Sequence, residues 1–243
     1  MKIDFGGKTA LVTGGTRGIG AAIAELLAES GARVIVTGSR PESKARLPKG
    51  VELRFEAVDF LDHAAAESFA KRMAKERIDI LINNAGINRI NAVGDIRDED
   101  WNDILAVNLS APMILCRALA PKMAERRFGR IVNITSVFGV VSRAQRGSYS
   151  ASKFALTGLT RALALDYAGG GVLANALAPG FIDTELTRSI LSEEQRREFA
   201  SQTPLGRLGS AEEIARAAAF LASEANTFIT GQCIVADGGY TSV

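Results

Sequence analysis

Thr9-Ala10-Leu11-Val12-Thr13-Gly14-Gly15-Thr16-Arg17-Gly18-Ile19-Gly20 runs from a short apolar stretch through a cluster of glycines directly into the Ala- and Leu-rich segment Ile19–Ser30. An apolar run, a glycine turn and a helix in that order form the strand–loop–helix unit that cradles a dinucleotide. Gly14 permits the tight turn, Gly18 lets the backbone approach a pyrophosphate, and Gly20 lets helix and strand pack closely. The free amides and positive dipole end of the helix would then face the phosphates. The spacing is G-x-x-x-G-x-G and not G-x-G-x-x-G, a variant that bears on the family below.

Outward from this unit, strand-like and helix-like stretches alternate. Candidate strands are Thr9–Thr13, Arg33–Thr37, Val51–Val58, Ile78–Asn83, Arg130–Thr135, Val172–Ala176 and Ile234–Ala236. Between them lie Ile19–Ser30, Asp62–Arg77, Asp98–Arg126, Ser150–Ala168 and Ala211–Ser223, each with helical patterning. The alternation predicts an α/β fold, a single-domain, doubly wound Rossmann-type sheet of about seven parallel strands with helices on both faces. No linker, repeat or composition break divides residues 1–243. A dinucleotide-binding part is expected over about 1–135 and a catalytic and substrate part over about 136–243. Residues 181–208 break the rhythm with two short helical pieces, Thr184–Leu191 and Ser192–Ser201. An excursion placed after a strand would overhang the carboxyl end of the sheet, so it is expected to be a substrate lid.

Composition narrows the function classes. The 243 residues carry 29 Lys and Arg against 27 Asp and Glu, a net charge of +2, interspersed and without a basic stripe, so nucleic acid is not an expected partner. Neither a secretory leader nor a run of about 20 apolar residues is apparent, so a soluble cytoplasmic protein without membrane partners is expected. Cys116 and Cys233 lack metal-ligand spacing and read as free thiols. The only histidine, His63, follows Asp62 at a helix start, so no metal site is expected.

The second strand ends in Thr37-Gly38-Ser39-Arg40, where an NAD-binding unit carries an acid about 20 residues past the glycines. The first acid here is Glu42. Its absence at Gly38, with Arg40 and Arg17 nearby, favours NADP(H), NAD(H) remaining an alternative, because guanidinium groups pair with the extra phosphate. Ser136 follows the fifth strand, and Tyr149 and Lys153 come thirteen and seventeen residues later, four apart on one helix face. An ammonium beside a phenol favours phenolate, and such a phenol can exchange a proton with a carbonyl or alcohol oxygen.

Together, Thr13–Gly20, Asn83-Asn84-Ala85-Gly86, Asn108, Ser136, Tyr149 with Lys153, Pro179-Gly180 with Thr184, and Asp237-Gly238-Gly239 resemble the short-chain dehydrogenase/reductase family in order and separation, from Gly7 to Tyr240. The resemblance implies hydride transfer between a nicotinamide cofactor and a carbonyl or secondary alcohol. It implies that Tyr149 is the acid/base, that Lys153 lowers its pKa and bonds the nicotinamide ribose, that Ser136 orients the substrate oxygen, and that Asn108 kinks its helix and holds a water. Gly14, Thr16, Arg17, Gly18, Ile19 and Gly20 would hold the pyrophosphate, and Ser39 and Arg40 the adenosine ribose phosphate. Asp59, with Phe60 beside it, would meet the adenine. Asn84, Ala85 and Gly86 would line a ribose, while Pro179, Gly180, Ile182 and Thr184 would border the nicotinamide. A homotetramer is implied as well.

Within the family, Gly7–Gly14, Pro179–Thr184 and Gly231–Gly239 resemble bacterial 3-oxoacyl-[acyl-carrier-protein] reductases. That implies a thioester substrate and an acyl-carrier protein as partner, with Arg126-Arg127 a candidate docking patch. Two departures keep a sugar, polyol or anionic keto-acid substrate open. Ala168-Gly169-Gly170-Gly171 replaces an expected docking base, and Arg143, Gln145 and Arg146 crowd the approach to Tyr149, where an arginine could receive an anion. A non-catalytic nucleotide-binding module is the distant alternative.

Overall fold

Strand residues sort by parity onto two faces. The computed structural model describes residues 3–46 and 52–242. Among them, β1 (Thr9–Val12), β2 (Arg33–Gly38), β3 (Leu53–Ala57), β4 (Ile80–Asn83), β5 (Gly129–Ile134), β6 (Val172–Pro179) and β7 (Cys233–Ala236) form one parallel sheet in the order β3-β2-β1-β4-β5-β6-β7. Leu11, Ile35, Leu81, Ile131 and Ala174 point into one core, whereas Ala10, Val12, Val34, Ile80, Ile82 and Val132 point into the other. Both faces are covered, so the central strands are apolar at nearly every position.

Helices α1 (Gly18–Glu29), α2 (His63–Met73), α3 (Asp98–Leu105), α4 (Ala111–Glu125), α5 (Gly147–Tyr167), α6 (Glu185–Ile190), α7 (Glu193–Ser201) and α8 (Ala211–Ala222) join these strands. One core lies beneath α2, α4 and α5, and the other beneath α1 and α8. The strand order reverses between β1 and β4, which opens the crevice at their carboxyl ends where α/β folds bind ligands.

Two expectations change. The single helix expected over Asp98–Arg126 is α3, a π turn Ala106–Ser110, and α4. Asn108 sits in the widened turn, where its Oδ1 accepts from Ile87 N at 2.8 Å and its Nδ2 donates to Ile87 O at 2.9 Å. A side chain inserted between backbones in this way displaces a helix from its i→i−4 ladder. The same stretch, Asp98–Glu125, is long and apolar enough to cross a membrane by length and composition, although its sequence alone suggested no span. Its apolar positions are core positions, with Ile104, Ile114, Leu115, Leu119 and Met123 all at 2% exposure or less. Val51, the expected start of the third strand, lies outside the described residues.

Candidate active site

The glycine turn is tied to its neighbours by short polar side chains that grip main-chain groups. Thr13 Oγ1 accepts from Asn84 N and Ala85 N, both at 3.0 Å, and Asn84 Nδ2 donates to Thr13 O at 3.0 Å and Gly14 O at 3.1 Å. On the other side, Gly14 N donates to Thr37 Oγ1 at 3.1 Å and Gly15 N to Thr37 O at 3.1 Å. A Cβ at Gly20 would lie 2.3 Å from Gly14 O, so only hydrogen fits there. Arg17, at the head of α1, adopts an extended conformation and makes no side-chain cap. The first amides of the helix therefore lack a side-chain cap. This cradle fits a pyrophosphate. Thr16 is buried, and Ile19 packs against the core beneath α1 and α8. Thr184, heading α6, reaches over the loop, its Cγ2 3.6 Å from where a Gly18 Cβ would be.

Arg17 and Arg40 are exposed, as is Ser39, and among the described residues neither guanidinium is engaged. Gly38 is tighter than expected, since a Cβ there would fall 2.7 Å from Ser43 Cβ. Asp59 is exposed and accepts from Leu61 N at 3.0 Å. The Phe60 ring lies in the core, edge-on to Phe69 at 6.3 Å, and not out beside an adenine. An apolar ring at a strand end gains more from the α2 core than from a polar crevice.

Ser136 leaves β5 at its carboxyl end, and its Oγ accepts from Phe138 N at 3.1 Å. Tyr149 lies in the first turn of α5, with Lys153 one turn on. Lys153 Nζ is buried, donates to Ile134 O at 2.9 Å and lies 5.6 Å from the centre of the Tyr149 ring. A Cβ at Gly86 would lie 3.4 Å from Asn108 Oδ1 and 3.6 Å from Lys153 Nζ, so the β4 loop, the π turn and α5 meet at one point. Asn108 Nδ2 also contacts Ser152 Oγ at 3.1 Å.

Burial pushes the Tyr149 phenol up, opposed first by a hydrogen bond with Ser136 and then by the charge of Arg146. Burial pushes the Lys153 ammonium down to about 8. Nζ turns to a main-chain carbonyl, which stabilises an ammonium less than a paired anion would.

On the substrate side, Gln145 has φ +66° and its carbonyl accepts from Asn91 N at 3.3 Å. Arg146 is half-buried, over the Phe138 ring at 5.7 Å. Arg143 faces away to α7, 3.5 Å from Glu198 and over the Phe199 ring at 4.8 Å. Sequence reasoning missed the aromatic cluster behind this contact. Phe181 stacks on Phe199 at 4.0 Å and meets Phe138 and Tyr240 edge-on at 6.0 and 5.1 Å. These rings are too scattered in sequence for any local pattern to join them. Pro179 ends β6, Gly180 lies against Asp237, and Ile182 is buried.

Arg126-Arg127 does not border this mouth. The pair precedes β5 whereas Ser136 follows it, and six strand residues span about 20 Å. Arg126 donates to Ile78 O, and Arg127 Nη1 donates to Gly169 O at 3.0 Å. Gly171, with φ +77°, packs so closely that a Cβ would lie 2.4 Å from Arg127 O, which explains the glycine turn in place of a base.

A family model described as "Enoyl-(Acyl carrier protein) reductase" matches residues 14–241. The 3-oxoacyl-[acyl-carrier-protein] reductase of Escherichia coli K12 is 42% identical over 241 residues, covering 98% of each chain. A 3-oxoacyl (acyl-carrier-protein) reductase from Agrobacterium tumefaciens C58, solved with NADP bound, superposes with a TM-score of 0.92 at 37% identity, covering 98% of this chain and 95% of its own. A gluconate 5-dehydrogenase from Burkholderia cenocepacia J2315, in complex with NADP and tartrate, superposes with a TM-score of 0.92 at 35% identity, covering 100% of this chain and 98% of its own. With its glycine cradle, its parallel sheet and these full-length similarities, the chain belongs to the short-chain dehydrogenase/reductase family of oxidoreductases.

Proposed function

We propose that this chain is an NADP(H)-dependent reductase of 3-oxoacyl thioesters. The observation that carries the reading is the convergence of Ser136, Tyr149 and Lys153 beside the glycine cradle, in a chain 42% identical to a 3-oxoacyl-[acyl-carrier-protein] reductase over nearly its full length. The nicotinamide, when bound, supplies the hydride. Ser136 donates a hydrogen bond to the substrate carbonyl oxygen, and Tyr149 delivers its phenolic proton to that oxygen. Lys153 bonds the nicotinamide ribose, and Asn108 props open the turn beside it. Gly14, Thr16, Arg17, Gly18, Ile19 and Gly20 hold the pyrophosphate, Ser39 and Arg40 the 2′-phosphate, and Asp59 with the Phe60 main chain the adenine edge. Asn84, Ala85 and Gly86 line a ribose, and Pro179, Gly180, Ile182 and Thr184 border the nicotinamide.

In this reading residues 1–243 work as one domain, with 181–208 as a lid. Support for the lid comes from its two ends, which clasp each other through Asp183 N to Gly209 O at 2.8 Å and Gly209 N to Phe181 O at 2.9 Å. A homotetramer in the cytoplasm completes the reading, supported by Trp101 and Phe154 at 37% and 47% exposure on α3 and α5. An acyl-carrier protein is the partner that delivers the thioester.

A second reading, oxidation or reduction of a sugar acid or other anionic keto or hydroxy acid, is favoured by one observation. Among the described residues, the half-buried Arg146 guanidinium has no acidic partner. A panel of acetoacetyl thioesters and keto-sugar acids, each with NADPH and NADH, separates the two. The first reading expects kcat/KM on the order of 10⁴ M⁻¹s⁻¹ or more for the thioesters with NADPH. Poor thioesters and efficient keto-sugar acids move the assignment to the second, and no turnover on either class sinks both.

A further inference from the structure

We infer that Asn133 and Thr160 are positioning residues, a buried hydrogen-bonded link that sets the catalytic helix α5 against β5 and, through Asn83, against the glycine cradle. The inference rests on the acid/base role given above to Tyr149, which α5 carries.

Two amides enter the apolar core beneath α2, α4 and α5. Asn83 and Asn133 stand opposite each other in the register of β4 and β5, on the same face as Leu81 and Ile131. Asn83 is 2% exposed, and Asn133 and Thr160 are 0% exposed. Asn83 Nδ2 donates to Asn133 Oδ1 at 2.8 Å and approaches Cys116 Sγ at 3.5 Å. Asn133 Nδ2 donates to Thr160 Oγ1 at 2.8 Å, and that hydroxyl donates to Leu156 O at 2.7 Å, one turn back along α5. These directions are fixed. The Thr160 proton is committed to Leu156 O, so only the amide nitrogen of Asn133 can face the hydroxyl, which leaves Asn133 Oδ1 to accept from Asn83.

Consecutive residues of β5 therefore hold α5 at two points. Asn133 grips Thr160 with its side chain, and Ile134 O accepts from Lys153 Nζ at 2.9 Å. Thr160 is seven residues beyond Lys153, two turns or about 10 Å along the helix. Apolar contacts are non-directional and permit sliding, whereas a hydrogen bond weakens steeply with angle. Two such bonds a fixed distance apart oppose both sliding and rotation of α5. Ser136 lies two residues beyond Ile134, so the strand that places the serine also places the tyrosine.

The far end of the link reaches the cofactor side. Asn84, next to Asn83, holds Thr13 O and Gly14 O. One of these neighbouring asparagines thus ties β4 to the glycine turn, and the other ties it through Asn133 to α5. Asn83 Oδ1 is buried and, among the described residues, has no hydrogen-bond partner. A bare buried carbonyl costs stability, so an apolar side chain of similar shape would serve the core better than this amide does. What the amide supplies is direction.

The test uses the full chain with Thr160→Val, Thr160→Ser and, as a control, Met73→Ala, which truncates a fully buried side chain of α2. One readout is kcat and KM with NADPH and the best substrate of the panel above. The other is the carbon-13 titration of Lys153 in cofactor-free, lysine-labelled protein, with Lys153→Arg identifying the resonance. Burial holds the Lys153 ammonium down to about 8, so a helix that slips and admits water raises that midpoint. Thr160→Val is expected to lower kcat roughly tenfold or more at a KM within about twofold of wild type, and to move the Lys153 midpoint up by about half a unit or more. Thr160→Ser keeps the hydroxyl and is expected to restore both. Met73→Ala is expected to lower the denaturation midpoint and to move neither readout. A wild-type kcat or an unchanged Lys153 midpoint in Thr160→Val overturns the inference. So does a Thr160→Ser or a Met73→Ala protein as impaired as Thr160→Val in both readouts. If Thr160→Val fails to fold, Thr160→Cys, similar in size but a weaker hydrogen-bonding partner, takes its place under the same expectations. Should no substrate of either class turn over, the proposed function falls, and the Lys153 titration decides the inference alone.

Discussion

The glycine turn after β1 and the excursion 181–208 both face the carboxyl end of the sheet, yet they are held by different kinds of atoms. The turn is fastened at its own backbone groups, Thr13 O, Gly14 N, Gly14 O and Gly15 N, which are held by Asn84 Nδ2, Thr37 Oγ1 and Thr37 O. The excursion is fastened through side chains. Phe181 stacks on Phe199, Arg143 reaches Glu198, and Arg188 pairs with Asp183 at 2.8 Å. Its main chain is tied to the fold at the clasped ends and at Leu205 N, which donates to Gly238 O at 3.2 Å. Backbone fastening leaves few residue types acceptable, because a single added carbon collides with a carbonyl. Side-chain fastening on an exposed surface is individually weak and tolerant of change, which suits a segment that opens and closes.

The largest effect that could break this contrast is expected at Gly20. Gly20→Ala places a methyl 2.3 Å from Gly14 O, a backbone atom that cannot yield without displacing the turn. Overpacking of this kind costs about 1–3 kcal/mol. A lowered denaturation midpoint together with weakened nucleotide binding is the expected result. An unchanged midpoint and unchanged affinity would mean that the turn is not backbone-limited.

A smaller effect is expected where the same half of the molecule relies on an exposed side chain. Arg40→Ala should weaken NADPH by roughly tenfold, the worth of a charged hydrogen bond, and leave NADH nearly untouched. Titration calorimetry with both nucleotides reads the difference, and equal losses would remove Arg40 from the phosphate. An acid introduced here belongs at exposed Ser39, since one at Gly38 would meet Ser43 and Phe55 before it met any ligand.

The smallest effect is expected in the excursion. Glu198→Gln breaks the pair with Arg143, whose partners are both substantially exposed. Exposed pairs contribute about 0–1 kcal/mol, so stability should hardly move and turnover should stay within about twofold. A large loss of turnover at unchanged stability would show that the lid depends on this one contact, and the contrast with the glycine turn would then fail.

Much of the architecture was legible in the chain because it depends on local rules. Short apolar runs alternating with helical stretches specified about seven parallel strands, and each observed strand lies within a few residues of its expected place. The glycine turn was legible because only glycine meets its backbone geometry, and the pairing of Tyr149 with Lys153 because four residues make about one helical turn. What the sequence alone did not determine depends on atoms brought together across the fold. The turn of Phe60 into the core, the crowding at Gly38, the distance of Arg126 from Ser136 and the aromatic cluster around Phe181 all follow from packing between remote elements. The clearest case is the charge around Tyr149. Spacing puts Lys153 on the same helix face, but only the tertiary structure turns its ammonium to Ile134 O and leaves Arg146, among the described residues, without an acidic partner, because electrostatic interaction depends on separation and burial in space and not on separation in sequence.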